Sequence, residues 1–276
     1  MTIKTLRQCT LLYLALLAAF ALPACAAPRL PATHVDSIEL HDTLQPVRAR
    51  VFAEEIKQAN LDGSLAVFIN LSTPGGMAHA TDSMVEAMRG SRIPIIVWVG
   101  SPHTRVSGEG LRLLAEADVA LMSPGSYITP LWTDPVRQIT DKRRIADSKQ
   151  LKAELAGSLT AHSRAQTAVD ELSSGSHWFS AKDALAAGFI DGAATKPAEA
   201  LQFAAAHIIH RRSGAVTAPG LAASGLAPVM SSSKDLLLLS LMNPDFAVLL
   251  LTLGLLLIYL ETVSYTHLTL PTIYSV

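Results

Sequence analysis

Cysteine is almost missing from this 276-residue chain, which has only Cys9 and Cys25, both within the first 26 residues. The rest of the chain can therefore form no internal disulfide, no thiolate metal site and no cysteine nucleophile. Charge is also sparse, and the formal net charge is −1. A protein that neutralises many phosphates carries a basic surplus on one face, so nucleic acid is not an expected partner. No group of His, Asp and Glu has the spacing of a metal site. Gly108-Glu109-Gly110 lacks the further glycines and the lysine of a nucleotide-binding loop. No cofactor is expected.

Apolar residues, by contrast, are plentiful and crowd toward the two ends. Lys4 and Arg7 precede an apolar run from Leu11 to Leu22 and the small residues Ala24-Cys25-Ala26. That order predicts a secretory signal peptide over 1–26, because the run is too short for a span that needs roughly 20 residues. Leu22-Pro23-Ala24-Cys25 loosely resembles a lipobox, which makes lipidation of Cys25 the alternative. At the other end, 236–263 is predicted to be a transmembrane segment, interrupted by Asn243-Pro244-Asp245. Phe246 to Leu260 alone would rise about 22 Å, short of a hydrocarbon core of roughly 30 Å, so flanking residues are needed. The competing reading is a helix buried against a partner. The Ala-, Gly-, Ser- and Pro-rich stretch before it, 206–235, reads as a flexible linker.

Between these segments, 33–205 reads as one domain. Leu65 to Leu71 (LAVFINL) and Ile93 to Val99 (IPIIVWV) are near-continuous apolar runs, the mark of strands covered on both faces. Helical spacing follows Pro46, with Val47, Val51, Phe52, Ile56 and Ala59 in phase, and again from Met77 to Met88. Val119 to Met122 is strand-like, 147–172 is helical, and Ser180-Ala181-Lys182-Asp183 is a capping box before a short helix ending at Gly188. The alternation of strand and helix predicts an α/β fold.

LAVFINLSTPGG, IPIIVWVG, ADVALMSPGS, SAKDALAAGFID and NPDFAVLLLTLGLLLIYLE, in that order, resemble successive blocks of the NfeD-like membrane-bound serine proteases. Together they cover roughly 35–261. The resemblance implies a ClpP/crotonase-like spiral of ββα units and a serine–lysine dyad. Serine needs a neighbouring base, and lysine serves only when desolvation lowers its pKa. Gly75 and Gly76 match the family's oxyanion loop, where glycine permits close backbone approach; the plainer reading is a turn. Ser107 is the candidate nucleophile and Lys149 the candidate base, with Lys152 in reserve; either lysine could equally be part of a solvated helix face.

The chain departs from the family at the nucleophile. Counted back without gaps from Ala117-Asp118, the family's slot falls on Gly108, and Ser107 sits one residue early. One residue on a helix is a rotation of about 100°. His103 and His79 are weaker candidates, read as solvated loop residues, and Asp118 is expected to order a strand start. Thr262 to Val276 resembles none of the family's further membrane helices or small β-barrel, so 264–276 is left unassigned, as a truncation or artefact would leave it.

The resemblance thus implies a membrane-anchored endopeptidase that cleaves apolar segments of membrane proteins. Stomatin- or prohibitin-like proteins are its expected substrates or partners, and the chain itself is expected to be a homo-oligomer. The leader places the domain in the bacterial cell envelope, on the extracytoplasmic side of the inner membrane. The slip at Ser107 keeps a second reading open, a catalytically degenerate anchored scaffold. Acyl-CoA chemistry on the same superfold is a third, disfavoured by export.

Overall fold

The structure, a computed structural model, describes residues 34–41, 43–100, 104–129, 141–174, 178–229 and 244–268. The expected signal peptide, His103 and the tail beyond Leu268 lie outside them. Strand β1 (His34–Leu40) leads into helix α1 (Pro46–Asp62), where Pro46 occupies the first turn. The missing N–H of proline costs nothing there. The helix stops at Gly63, whose φ of +74° closes the C-terminus in the left-handed conformation. Strand β2 (Val67–Leu71), helix α2 (Ala78–Gly90) and strand β3 (Ile95–Val99) follow. Next come the two-residue β4 (Arg105–Val106), helix α3 (Gly110–Glu116) and β5 (Val119–Met122).

β6 (Tyr127–Ile128) precedes helix α4 (Asp141–Ala161) and helix α5 (Thr167–Ser174). The sequence predicts a single helical stretch over 147–172; the chain instead turns between α4 and α5, where Ser163 has φ +60°. β7 (Phe179–Ser180) runs into α6 (Ala181–Ala186) through the expected capping box, with Ser180 Oγ accepting from the Asp183 N–H. β8 (Gly192–Ala193), α7 (Pro197–Ala206), β9 (Ile209–Arg211), β10 (Gly214–Val216), a 3-10 turn (Pro219–Ala223) and β11 (Gly225–Pro228) complete the domain.

The main sheet has six strands in the order β11-β1-β2-β3-β5-β8, and every pairing in it is parallel. Such a sheet is stable only with both faces covered, which explains the unbroken apolar runs of β2 and β3. One face packs Ile38, Ile69, Val97 and Ala120 against Phe52, Met84, Leu111 and Leu155 of the helices. The other sets Val35, Phe68, Ile96 and Leu121 against Ala200, Leu201 and Leu221. The expected α/β fold is what the chain forms, and its main sheet is parallel. A second sheet, in the order β4-β6-β7, stands apart from the first.

One expectation is corrected. The stretch 206–235 is not a featureless linker in its described part: it carries β9, β10 and the edge strand β11, which pairs with β1 from His34↔Gly225 to Ser37↔Pro228. The expected membrane segment, 236–263, lies partly outside the described residues. Among the described residues, no helix is long and apolar enough to cross a membrane. The last helix, α8 (Pro244–Leu268), starts after the Asn243-Pro244 break, and 236–243 lie outside the described residues. Its side chains Leu249, Leu251, Leu255, Leu257 and Leu260 are all exposed.

Candidate functional site

Ser107, Gly75 and Gly76 meet at the C-terminal ends of β2 and β4, where chain reversals expose backbone. After β2, Thr73-Pro74-Gly75-Gly76 turns sharply. Thr73 Oγ1 accepts from the Gly75 N–H at 3.2 Å, and the carbonyl of Gly75 accepts from the Leu44 N–H at 2.9 Å. Gly75 has φ +104°, a conformation that favours glycine. A Cβ on it would lie 3.2 Å from the Ser107 carbonyl oxygen and 3.4 Å from the Glu109 nitrogen. Gly76 is glycine for a different reason: a Cβ there would fall 2.2 Å from the carbonyl oxygen of Leu44. Both glycines of the expected oxyanion loop are thus required by close approach, and Gly75 makes its approach to the serine turn itself.

Ser107 follows β4 and is buried. Its N–H donates to the Thr73 carbonyl at 3.2 Å and its Oγ donates to the Pro74 carbonyl at 2.6 Å. The structure therefore brings Ser107, Gly75 and Gly76 into one loop cluster. Gly108 has φ +52° and sits before α3 in a turn, with a Cβ there meeting nothing nearer than 4.0 Å.

Lys149 lies in α4 and is exposed. Among the described residues, no hydrogen bond or ion pair joins it to Ser107 or the glycines. Lys152 is paired with Asp170 of α5. His79 is exposed at the start of α2, as a solvated residue should be. Asp118 accepts from the Ile95 N–H at 2.9 Å and so orders the start of β3, as expected of it.

Sequence reading missed the polar bracing around the cluster. Arg112 of α3 holds Glu109 at 2.9 Å, Asp82 of α2 at 2.6 Å and Glu154 of α4 at 2.8 Å. One guanidinium thus ties three helices beside the serine turn. Burial pushes the Glu109 carboxyl above its ordinary value, against the pull of Arg112. The i,i+3 spacing of Glu109 and Arg112 was the visible signal; Asp82 and Glu154 carried none. At the far end of α3, Glu116 accepts from Arg89 (both at 2.9 Å), Arg212 (2.8 and 3.1 Å) and Ser158 (2.6 Å). Burial opposes ionisation, but the nearby His162 ring, 3.8 Å away, and hydrogen bonds from Arg89, Arg212 and Ser158 outweigh it and hold this carboxyl far below the carboxylate range. Among the described residues, no cluster of three or more His, Cys, Asp or Glu is placed to hold a metal ion.

No family model matches the chain. Over 77 residues it is 32% identical to the membrane-bound protease PH1510 of Pyrococcus horikoshii, a match covering 28% of this chain and 18% of that protein. The chain therefore spans under a fifth of its curated relative. Among solved structures, the 1510-N membrane protease specific for a stomatin homologue, from Pyrococcus horikoshii, gives a TM-score of 0.61 at 22% identity. That likeness covers 75% of this chain and 97% of the other. A serine-to-alanine variant of 1510-N gives 0.63 at 21% identity, covering 72% and 98%. A lysine-to-alanine variant in complex with a substrate peptide gives 0.63 at 21%, covering 75% and 95%. Likeness at that identity establishes a shared fold.

Proposed function

We propose that this homologue of the membrane-bound protease PH1510 is itself a membrane-attached serine endopeptidase, with Ser107 as nucleophile, Lys149 as base and the Gly75-Gly76 loop as oxyanion site. The observation that carries the reading is the seating of the glycine loop against the serine turn, with Gly75 too close to Ser107 and Glu109 for a side chain to fit comfortably. In the reaction, Ser107 Oγ turns from the Pro74 carbonyl to attack the scissile carbonyl carbon, and its proton passes to neutral Lys149 Nζ. Backbone N–H groups of the glycine loop receive the oxyanion, for which the Gly75 N–H leaves Thr73 Oγ1. Collapse breaks the C–N bond, Lys149 returns the proton to the leaving amine, and water then cleaves the acyl ester. Lys149 is exposed, so peptide or a second copy of the chain has to cover its side chain and shut solvent out of the dyad.

The proposal extends to the substrate, an apolar segment of a stomatin-like membrane protein, and to a homo-oligomer. The leader directs the domain to the extracytoplasmic side, and the exposed leucines of α8 seat the chain in lipid together with the apolar residues 236–241. At about 25 cal/mol per Å² of apolar surface, leaving those leucines in water is costly.

A specific observation supports a second reading, a degenerate scaffold. The serine and lysine replaced in the two 1510-N variants are separated by as many residues as Gly108 and Lys149, one fewer than Ser107 and Lys149. The deciding experiment follows cleavage of a fluorogenic apolar peptide by the full chain in detergent, alongside Ser107→Ala and Lys149→Ala. Activity lost in both variants supports the dyad. A folded wild type as inert as its variants overturns the peptidase in favour of the scaffold.

A further inference from the structure

The small sheet β4-β6-β7 presents a face that the catalytic reading leaves unused. Arg105 of β4 pairs directly with Tyr127 of β6, and Tyr127 pairs with Ser180 of β7. Side chains two positions apart on a strand share a face. Ser107 and Trp178 lie one residue beyond the paired ends of β4 and β7, two positions from Arg105 and Ser180, and continuing the alternation puts both on the face of Arg105 and Tyr127. Tyr127 and Trp178 are in ring contact, with centroids 6.3 Å apart and planes at 59°. Both are exposed, Trp178 at 53% and Tyr127 at 37%, and Arg105 beside them is also exposed. The next residues on this face, Ser107 and Thr129, are buried. The face thus passes from an open aromatic shelf to the hydroxyl of the candidate nucleophile within two strand positions, about 7 Å. Among the described residues, β4 pairs in a sheet only with β6; on its other side the Ser107 N–H is already held by the Thr73 carbonyl, so an extended peptide can lie beside β4 only as far as Arg105, short of Ser107.

The geometry points to Tyr127 and Trp178 as a substrate subsite: a shelf that takes one aromatic or large aliphatic side chain of an extended peptide whose main chain lies along β4 toward Ser107. The inference rests on the peptidase reading above and names the side-chain class it selects. An isolated exposed tryptophan is unremarkable, but an aromatic pair in register with the candidate nucleophile and flanked by a cation has the composition of a recognition surface.

The test measures binding apart from cleavage. The Ser107→Ala full chain in detergent is titrated into two labelled peptides that differ only in one central residue, phenylalanine or alanine, and anisotropy is followed. The phenylalanine peptide is expected to bind about tenfold tighter, the preference one well-buried ring contact supports. Trp178→Ala and Tyr127→Ala should each erase most of that preference, whereas Trp178→Phe should keep it. Both positions are exposed, so the variants fold, and circular dichroism checks this. Equal binding of the two peptides, no binding of either, or a preference untouched by both alanine variants overturns the shelf. If the shelf is found and the wild type still cleaves nothing, the peptidase reading fails alone.

Discussion

Replacing Glu116 with glutamine keeps its shape, removes its charge and leaves two arginines facing a group that can accept only on one side. The wild-type carboxylate is nearly inaccessible and takes both forks of Arg89 and Arg212 together with the Ser158 hydroxyl. Removing one partner of a buried pair costs about 3–5 kcal/mol. Arg89 and Arg212 are each nearly half exposed and can regain water, which puts Glu116→Gln at the low end, about 3 kcal/mol. For a domain of this size that is a fall in Tm of roughly 6–12 °C. Denaturant unfolding at a series of pH values measures it. Because the folded pKa is depressed, the contribution is complete above the unfolded value of about 4.3 and fades as pH falls below it toward the folded value. The gap between wild type and Glu116→Gln should therefore be widest at pH 7 and close in acid. A gap below about 1 kcal/mol at pH 7, or one that does not narrow in acid, refutes the reasoning.

Asp36 should show the opposite sign. Burial raises its pKa, and its Oδ2 has no hydrogen-bond partner, so whatever stability its neutral form supports is lost as pH rises through the folded value; Asp36→Asn should equal or exceed wild type at pH 7 in the same unfolding assay. Arg164→Ala should cost about 3–5 kcal/mol, since Arg164 binds Asp191 at 2.7 Å and the carbonyls of Ala115 and Ala117 at the end of α3; thermal melts check it. Gly76→Ala should destabilise by about 1–3 kcal/mol or more, because the obstacle is the backbone of Leu44. Gly108→Ser meets no steric obstacle and only left-handed strain of about 1–2 kcal/mol; if the slot governs activity, this variant should outpace wild type in the fluorogenic peptide assay.

The doubly covered strands β2 and β3 were legible because their apolar runs are short, rich in β-branched residues and bounded by turn residues, which favours a buried strand over a buried helix. The capping box at Ser180 and the proline start at Pro46 were equally readable, being local chemistry. β11 was not. Its partner β1 lies at the opposite end of the sequence, and Gly225-Leu226-Ala227-Pro228 has a composition shared with any loop. The glycine loop and Ser107 were visible as residues, but their contact was not, since it joins turns after two different strands. The bracing of Arg112 and Glu116 draws on three or more elements each, and charges scattered over helices carry no period that marks them as one cluster.

β11 also bears on how the domain comes to be made. Ser37 meets Pro228 roughly 190 residues later, so β1 is synthesised long before its outer neighbour exists, and contacts of that separation form slowly. Until Gly225–Pro228 arrives, one side of β1 is an open template for any extended chain. The domain is thus completed from its far end, and a nascent or shortened chain ending before residue 225 should be the aggregating species, held in check only by chaperones that cover that edge.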